Sequence, residues 1–345
     1  MDNNTTNNYQ NTVQQPVPEQ QNVQGQQYYT AGQQQYAPEQ IGQIPGAVYF
    51  DDKYVPEQYR KARDKKHPIL EIFICLLIVA GFLLIQLVAM IPIVIIDTMD
   101  AYSKFEGTGM TTEQISEYIY NNLDTISVSI VGTVLSAIVA VLWYKLVYCR
   151  KYSFSKFKET CSRMISGGSV FGLFFAALGL FYISNLLVAL IGIISPKVIE
   201  DYSDLMKSAG LENTAGFGTI FLTVVLAPIN EECIMRGIIF RRLKKCMVPV
   251  AAIVLSAIYF GVFHLNIVQG VYATLLGLFM AYLAYKYDSI IPSLVFHAMF
   301  NGLNFVLPLL PDCITEDAVL GCLIPVVAGF AWYFLEGRRK IPQNS

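Results

Sequence analysis

The sequence predicts an all-α protein, a polytopic membrane helix bundle of about eight transmembrane helices behind a disordered N-terminal tail. Three observations carry this. Of 345 residues, 54% are hydrophobic and only 14% are charged, against about 25% charged in a soluble domain. Apolar runs of bilayer length, about 20 residues each, recur from residue 69 almost to the C-terminus. Basic clusters and acidic loops alternate between those runs, as in a chain that crosses a membrane repeatedly. A soluble globular class is excluded. The 7 cysteines are scattered and form no C-x-x-C pair, which argues against a disulfide framework or a zinc ribbon.

Residues 1–60 are rich in Gln, Asn, Tyr and Pro. They offer too little apolar surface to offset the entropy of ordering, so a disordered tail is expected. This polar start shows no signal-peptide pattern, and the first apolar run, 69–96, is expected to be retained as a span. Lys61, Arg63, Lys65 and Lys66 lead into it. The acidic link 97–125 contains Thr111-Thr112-Glu113-Gln114, a capping-box pattern that opens a short surface helix over 115–123. The second span is 126–147, followed by Arg150, Lys151, Lys156, Lys158 and Arg163. The third is 169–194, followed by Glu200, Asp201, Asp204 and Glu212. The fourth, 216–240, ends in Arg241-Arg242-Leu243-Lys244-Lys245. The fifth, sixth and seventh are 248–264, 268–285 and 290–307. A polar link with Pro308, Pro311 and Asp312 leads to the eighth, 318–335, which ends in Arg338-Arg339-Lys340.

The chain therefore divides into a tail (1–60), two N-terminal spans with an outside loop (61–165), a core (166–312) and a last span with a basic tail (313–345). Basic clusters precede the first span and follow the second, fourth and eighth. The positive-inside rule places them all in the cytoplasm, with both termini inside and the acidic loops outside.

The fourth span carries Ala227-Pro228-Ile229-Asn230-Glu231-Glu232-Cys233-Ile234-Met235-Arg236-Gly237. A charge at the bilayer centre costs at least about 2.5 kcal/mol, so such residues mark a site by default. Glu231 and Glu232 are adjacent and point about 100° apart on a helix. Pro228, one turn earlier, predicts a bend or an unwound turn. Glu232 and Arg236, at i and i+4, can pair on one face, leaving Glu231 the freer carboxylate. A structural ion pair explains these three residues nearly as well as a site does. His264 ends the fifth span, where an interfacial role is the plain reading. His297 and Asn301, one turn apart in the seventh span, form a polar stripe that interhelical hydrogen bonding would also explain.

Taken together, three apolar spans each contribute polar groups of complementary chemistry. A carboxylate or imidazole takes a proton from water. Asn and His donate to a tetrahedral oxyanion. Glu231, His264 and His297 are also a donor set for a divalent metal such as zinc with an open position.

Glu231-Glu232-x-x-x-Arg236, Phe260-x-x-x-His264 and His297-x-x-x-Asn301 together resemble the signature of the CPBP intramembrane proteases. That family includes CAAX prenyl endopeptidases of the Rce1 type and bacterial relatives linked to bacteriocin self-immunity. The resemblance covers about residues 167–310 and is closer to the prokaryotic branch; Met235 departs from the Phe that bacterial relatives often carry before the Arg. The resemblance implies a peptidase and a prokaryotic plasma membrane. It implies that Glu231, with His264, activates the attacking water. His297 and Asn301 would stabilise the oxyanion, with Glu232 and Arg236 supporting Glu231. The expected partners are a peptide or protein substrate and the lipid bilayer, with no nucleic acid.

Counting along the helices puts Glu231 about 15 Å from the cytoplasmic end of its span, His297 about 10 Å and His264 about 24 Å. That depth suggests a substrate presented from the cytoplasmic leaflet. It leaves His264 lying too far outward. Two non-enzymatic rivals remain open: a transporter using the acid pair as a proton relay, and an immunity factor that acts by binding. No internal repeat of helix pattern supports the transporter.

Overall fold

The computed structural model describes residues 67–148, 169–209, 216–310 and 317–332, and every regular element among them is helical. All of these residues belong to one unit, residues 36–338. The N-terminal tail, the basic link 150–163 and the basic C-terminus lie outside the described residues. Helix α1 (Pro68–Phe105) begins with Pro68 in its first turn, where a missing N–H costs nothing. Helix α2 (Thr112–Asn122) starts on the expected capping box: the Gln114 N–H donates to Thr111 Oγ1 at 3.3 Å and the Thr111 N–H to Gln114 Oε1 at 2.9 Å. Helix α3 (Thr125–Trp143) is capped by Asp124, which accepts from the Ser127 N–H at 3.1 Å and hydroxyl at 2.5 Å. It continues through a wider π-helical turn, Tyr144–Tyr148.

Helix α4 (Ser169–Ile194) is followed by α5 (Pro196–Ser208), an amphipathic helix in the acidic loop. Sequence reasoning left that loop without structure. Ser195-Pro196 at its start and Val198, Tyr202 and Leu205 at helical spacing were the available signal. Then come α6 (Phe217–Leu243), α7 (Pro249–Phe263), α8 (Ile267–Tyr287), α9 (Ile291–Val306) and α10 (Asp317–Trp332).

Six helical runs among the described residues are long and apolar enough to cross a bilayer: α1, α3, α4, α6, α8 and α9, the last with its 3-10 extension Leu307–Leu309. The expected fifth span, α7, has 15 residues. At 1.5 Å per residue it reaches about 22 Å, short of the ~30 Å hydrocarbon core. The expected eighth, α10, has 16 residues. Eight apolar segments are thus present; α7 is shorter than a full crossing, and α10 is described only from Asp317 to Trp332. The large apolar side chains that face outward, such as Leu77 at 70% and Leu87 at 61% exposed on α1, suit a lipid surround.

The α7–α8 hairpin packs through small residues. A Cβ added at Gly277 would sit 2.9 Å from the Ala257 Cα, and one at Gly261 would overlap the Thr274 hydroxyl and the Gly270 carbonyl oxygen. Without side chains there, two backbones meet directly, the usual route to tight association where lipid removes the hydrophobic drive. Polar ties gather at the Arg- and Lys-rich end of the bundle. Arg242 of α6 pairs with Glu71 of α1 at 2.8 Å. Arg241 and Lys244 flank Asp288, just past α8, at 3.8 and 3.1 Å. The Tyr259 hydroxyl donates to the Ile72 carbonyl at 2.6 Å, tying α7 to α1.

Candidate active site

Helix α6 is not a uniform α-helix. A six-residue α stretch, Ala227–Glu232, sits between two π-helical segments, Leu222–Leu226 and Cys233–Ile239. Pro228 explains the first. Its ring clashes with the preceding turn and it has no N–H to donate, and a π turn makes the room without breaking the helix. The expected bend or unwound turn takes the form of a wider turn. In that turn the Ala227 N–H bonds to the Leu222 carbonyl, five residues back. The next donor in this register would be residue 228, which is proline, so the Thr223 carbonyl loses its helical partner. Asn301 of α9 supplies one: its Nδ2 donates to the Thr223 oxygen at 2.8 Å.

Below this, Glu232 and Arg236 are both fully buried and pair at 2.9 Å. The Arg236 Nη2 also donates to the Gly277 carbonyl at 3.3 Å. Gly277 can serve because nothing shields its backbone. The guanidinium lies over the Phe260 ring, 4.5 Å from its centroid, a desolvated cation–π contact. Among the described residues, Glu232 Oε2 and Arg236 Nε have no hydrogen-bond partner.

His297 stands between the two acids. Its Nδ1 is 3.1 Å from Glu232 Oε1, and its Nε2 is 3.6 Å from Glu231 Oε2. One imidazole meets two carboxylates that diverge by about 100°, because its nitrogens lie on different edges of the ring. Glu232, which also bonds Arg236, is the acceptor for an Nδ1–H. Nε2 then faces Glu231, whose side chain remains 14% exposed.

His264 follows the last turn of α7, at the tip of the hairpin. Its Nδ1 is 2.9 Å from the Phe260 carbonyl oxygen. A carbonyl only accepts, so Nδ1 carries the proton and Nε2 is left for other work. Among the described residues, no carboxylate lies within 4.0 Å of the His264 ring nitrogens. Phe260 connects the two histidines: its ring meets His264 edge-on at 5.0 Å and His297 at 5.7 Å. The structure thus gathers Glu231, Glu232, Arg236 and His297 in direct contact. Asn301 is joined to the same helix one turn away, and His264 sits one aromatic ring further off. No group of three His, Cys, Asp or Glu side chains that could hold a metal ion occurs among the described residues. The Glu231, His264 and His297 set does not fit such a centre as arranged.

Sequence reasoning missed two neighbours. Asn230, 1% exposed, accepts from the Ser136 hydroxyl of α3 at 2.8 Å, on the far side of α6 from His297. Tyr272 of α8 lies within interaction range of Tyr202, Gln269 and Glu231. A polar residue inside an apolar span was the available signal for each.

Fold and site define a polytopic helical membrane protein with a buried carboxylate–imidazole–guanidinium cluster. Residues 213–303, which hold all six expected site residues, match the family model of Type II CAAX prenyl endopeptidase Rce1-like proteins. The chain carries an Rce1-like domain there, and α1–α5 and α10 lie outside it. That match supports a peptidase, an intramembrane CAAX-type endopeptidase in general terms. No curated protein and no solved structure matches the chain.

Proposed function

We propose that this protein is an intramembrane endopeptidase that hydrolyses a peptide bond of a membrane-associated substrate, with Glu231 as the base. The observation that carries the reading is the placement of His297 between Glu231 and the Arg236-bound Glu232. Glu231 is the carboxylate with exposure to receive water, and it takes the water proton as the oxygen attacks the carbonyl. With both ring nitrogens protonated, His297 keeps Nδ1–H on Glu232 and presents Nε2–H, beside the second amide hydrogen of Asn301, to the oxygen as it becomes an oxyanion. His264, its Nδ1–H fixed on the Phe260 carbonyl, offers Nε2 to help deprotonate the water and to return a proton to the leaving amine. Glu232 and Arg236 hold His297 and are positioning residues.

On this reading the protein sits in a prokaryotic plasma membrane, which the resemblance favours, with both termini cytoplasmic, which its basic clusters favour. The Glu231–His297–Glu232 contact also suits a proton relay in a transporter, which would couple to a proton gradient where a peptidase would not. The deciding experiment uses purified protein in detergent with a quenched peptide library. Glu231→Ala and His264→Ala should each abolish cleavage. Cleavage by both variants at the wild-type rate would sink the reading.

A further inference from the structure

The burial around Glu231 differs sharply between the two ends of the bundle. Toward the Arg241–Lys244 end, a continuous apolar layer closes the way: Ile234, Met235, Ile238, Met280, Leu283 and Phe296 are each 0% exposed. Toward the other end, the polar groups are only partly buried: Asn301, His264, Gln269 and Tyr272. A route to the Glu231 carboxylate runs along these and not through the apolar layer.

The short α7–α8 hairpin explains why. Glu231 lies about 15 Å above Arg241 along α6, and α7 ends about 22 Å above its start at the same end of the bundle. Roughly 7 Å of α7 therefore stands beyond the level of Glu231, so the carboxylate lies close to the level of the hairpin tip. Helix α5 packs against α8 near that tip, with Tyr202 within interaction range of Tyr272. Its ion pairs, Lys197–Glu200, Lys197–Asp201 and Lys207–Asp204, have side chains 53–70% exposed. Charged groups so exposed require water rather than lipid. The aqueous phase thus comes down to the hairpin tip, where His264 and the Asn266–Gln269 pair stand.

We propose that the site opens toward the end of the bundle opposite Arg241 and Lys244, so that its substrate is a polypeptide segment arriving from the non-cytoplasmic side. This reverses the cytoplasmic access that depth counting alone suggests. What enters rests on the endopeptidase reading, whereas the direction of opening does not.

A small membrane-impermeant thiol reagent tests the direction without any need for activity. Gln269→Cys and Tyr272→Cys are each made in the full chain, with Lys244→Cys marking the basic end and the unsubstituted protein as background. Right-side-out and inside-out vesicles are labelled in parallel. Either probe should label from the face opposite the one that labels Lys244→Cys, and labelling should be lost when the vesicles are inverted. Labelling of the probes from the Lys244→Cys face, or from neither face while Lys244→Cys labels, overturns the proposal. An impermeant peptide should then be cleaved only by vesicles exposing the probe-labelled face. Correct labelling without any cleavage in detergent would count against the peptidase and leave the opening standing.

Discussion

Asn301 donates to the Thr223 carbonyl at 2.8 Å at the point where Pro228 removes the donor that a π turn would have used. The contact joins α9, one turn beyond His297, to α6, two turns before Glu231. It gives Asn301 a positioning duty beside any part in catalysis, and the two are separable.

Asn301→Ala leaves the partly buried Thr223 carbonyl without its partner, which costs about 1 kcal/mol, the low end of the range for a lost acceptor partner. Adding Pro228→Ala supplies a backbone N–H and should restore most of that loss. Thermal unfolding in detergent measures both. Peptidase activity should stay low in the double variant, because the amide that faces the oxyanion is still missing. A double variant no more stable than the single one would remove the proline explanation.

Arg236→Met leaves the Glu232 carboxylate buried with only His297 for a partner. Breaking one side of a buried pair costs about 3–5 kcal/mol, whereas replacing both partners is often near neutral. Glu232→Leu combined with Arg236→Met should therefore unfold at higher denaturant than Arg236→Met alone. It should nevertheless be inactive, since His297 loses the acceptor that orients it.

The hairpin contact sets how Arg236 reaches a backbone oxygen. Gly277→Ala brings a methyl group to 2.9 Å from the Ala257 Cα, and overpacking of this kind costs about 1–3 kcal/mol. It should lower the melting temperature and cut activity together. Gly302→Ala, with nothing within 4 Å of the added Cβ, should leave the melting temperature unchanged. Equal effects from the two substitutions would mean that the hairpin is not tightly held.

Asp124 provides a pH-dependent term outside the membrane. Its side-chain bond from the Ser127 hydroxyl, then the bond from the Ser127 N–H, hold its carboxyl below the ordinary range. The folded pKa is lower than the unfolded one, so the stabilisation is full above the unfolded value and is lost as pH falls through the folded value. Asp124→Ala should cost about 0.5–1 kcal/mol at neutral pH, the lower part of the N-cap range because water surrounds the site. The gap between variant and wild type should close as the pH drops below the carboxylate range. A gap that stays constant down to that acidity would mean that the charge contributes nothing.

Much of the fold was legible in the chain. Apolar length marked the spans, the capping box at Thr111–Gln114 marked α2, and the i, i+4 spacing of Glu232 and Arg236 anticipated their contact. All of these are local: a helix repeats every 3.6 residues, so neighbours in sequence are neighbours in space. Chain order alone could also list the polar residues, Glu231, His264, His297 and Asn301, that enter apolar spans. It could not say which of them meet. That depends on the rotation and depth of separate helices, set by packing at positions such as Gly277 and by the π turns around Pro228. Only the tertiary structure decided that His297 rather than His264 stands against Glu231, that Asn301 bonds Thr223, and that α7 stops short. The last of these sets how near Glu231 lies to the hairpin tip, because relative depth is a property of the assembled helices and of no single one.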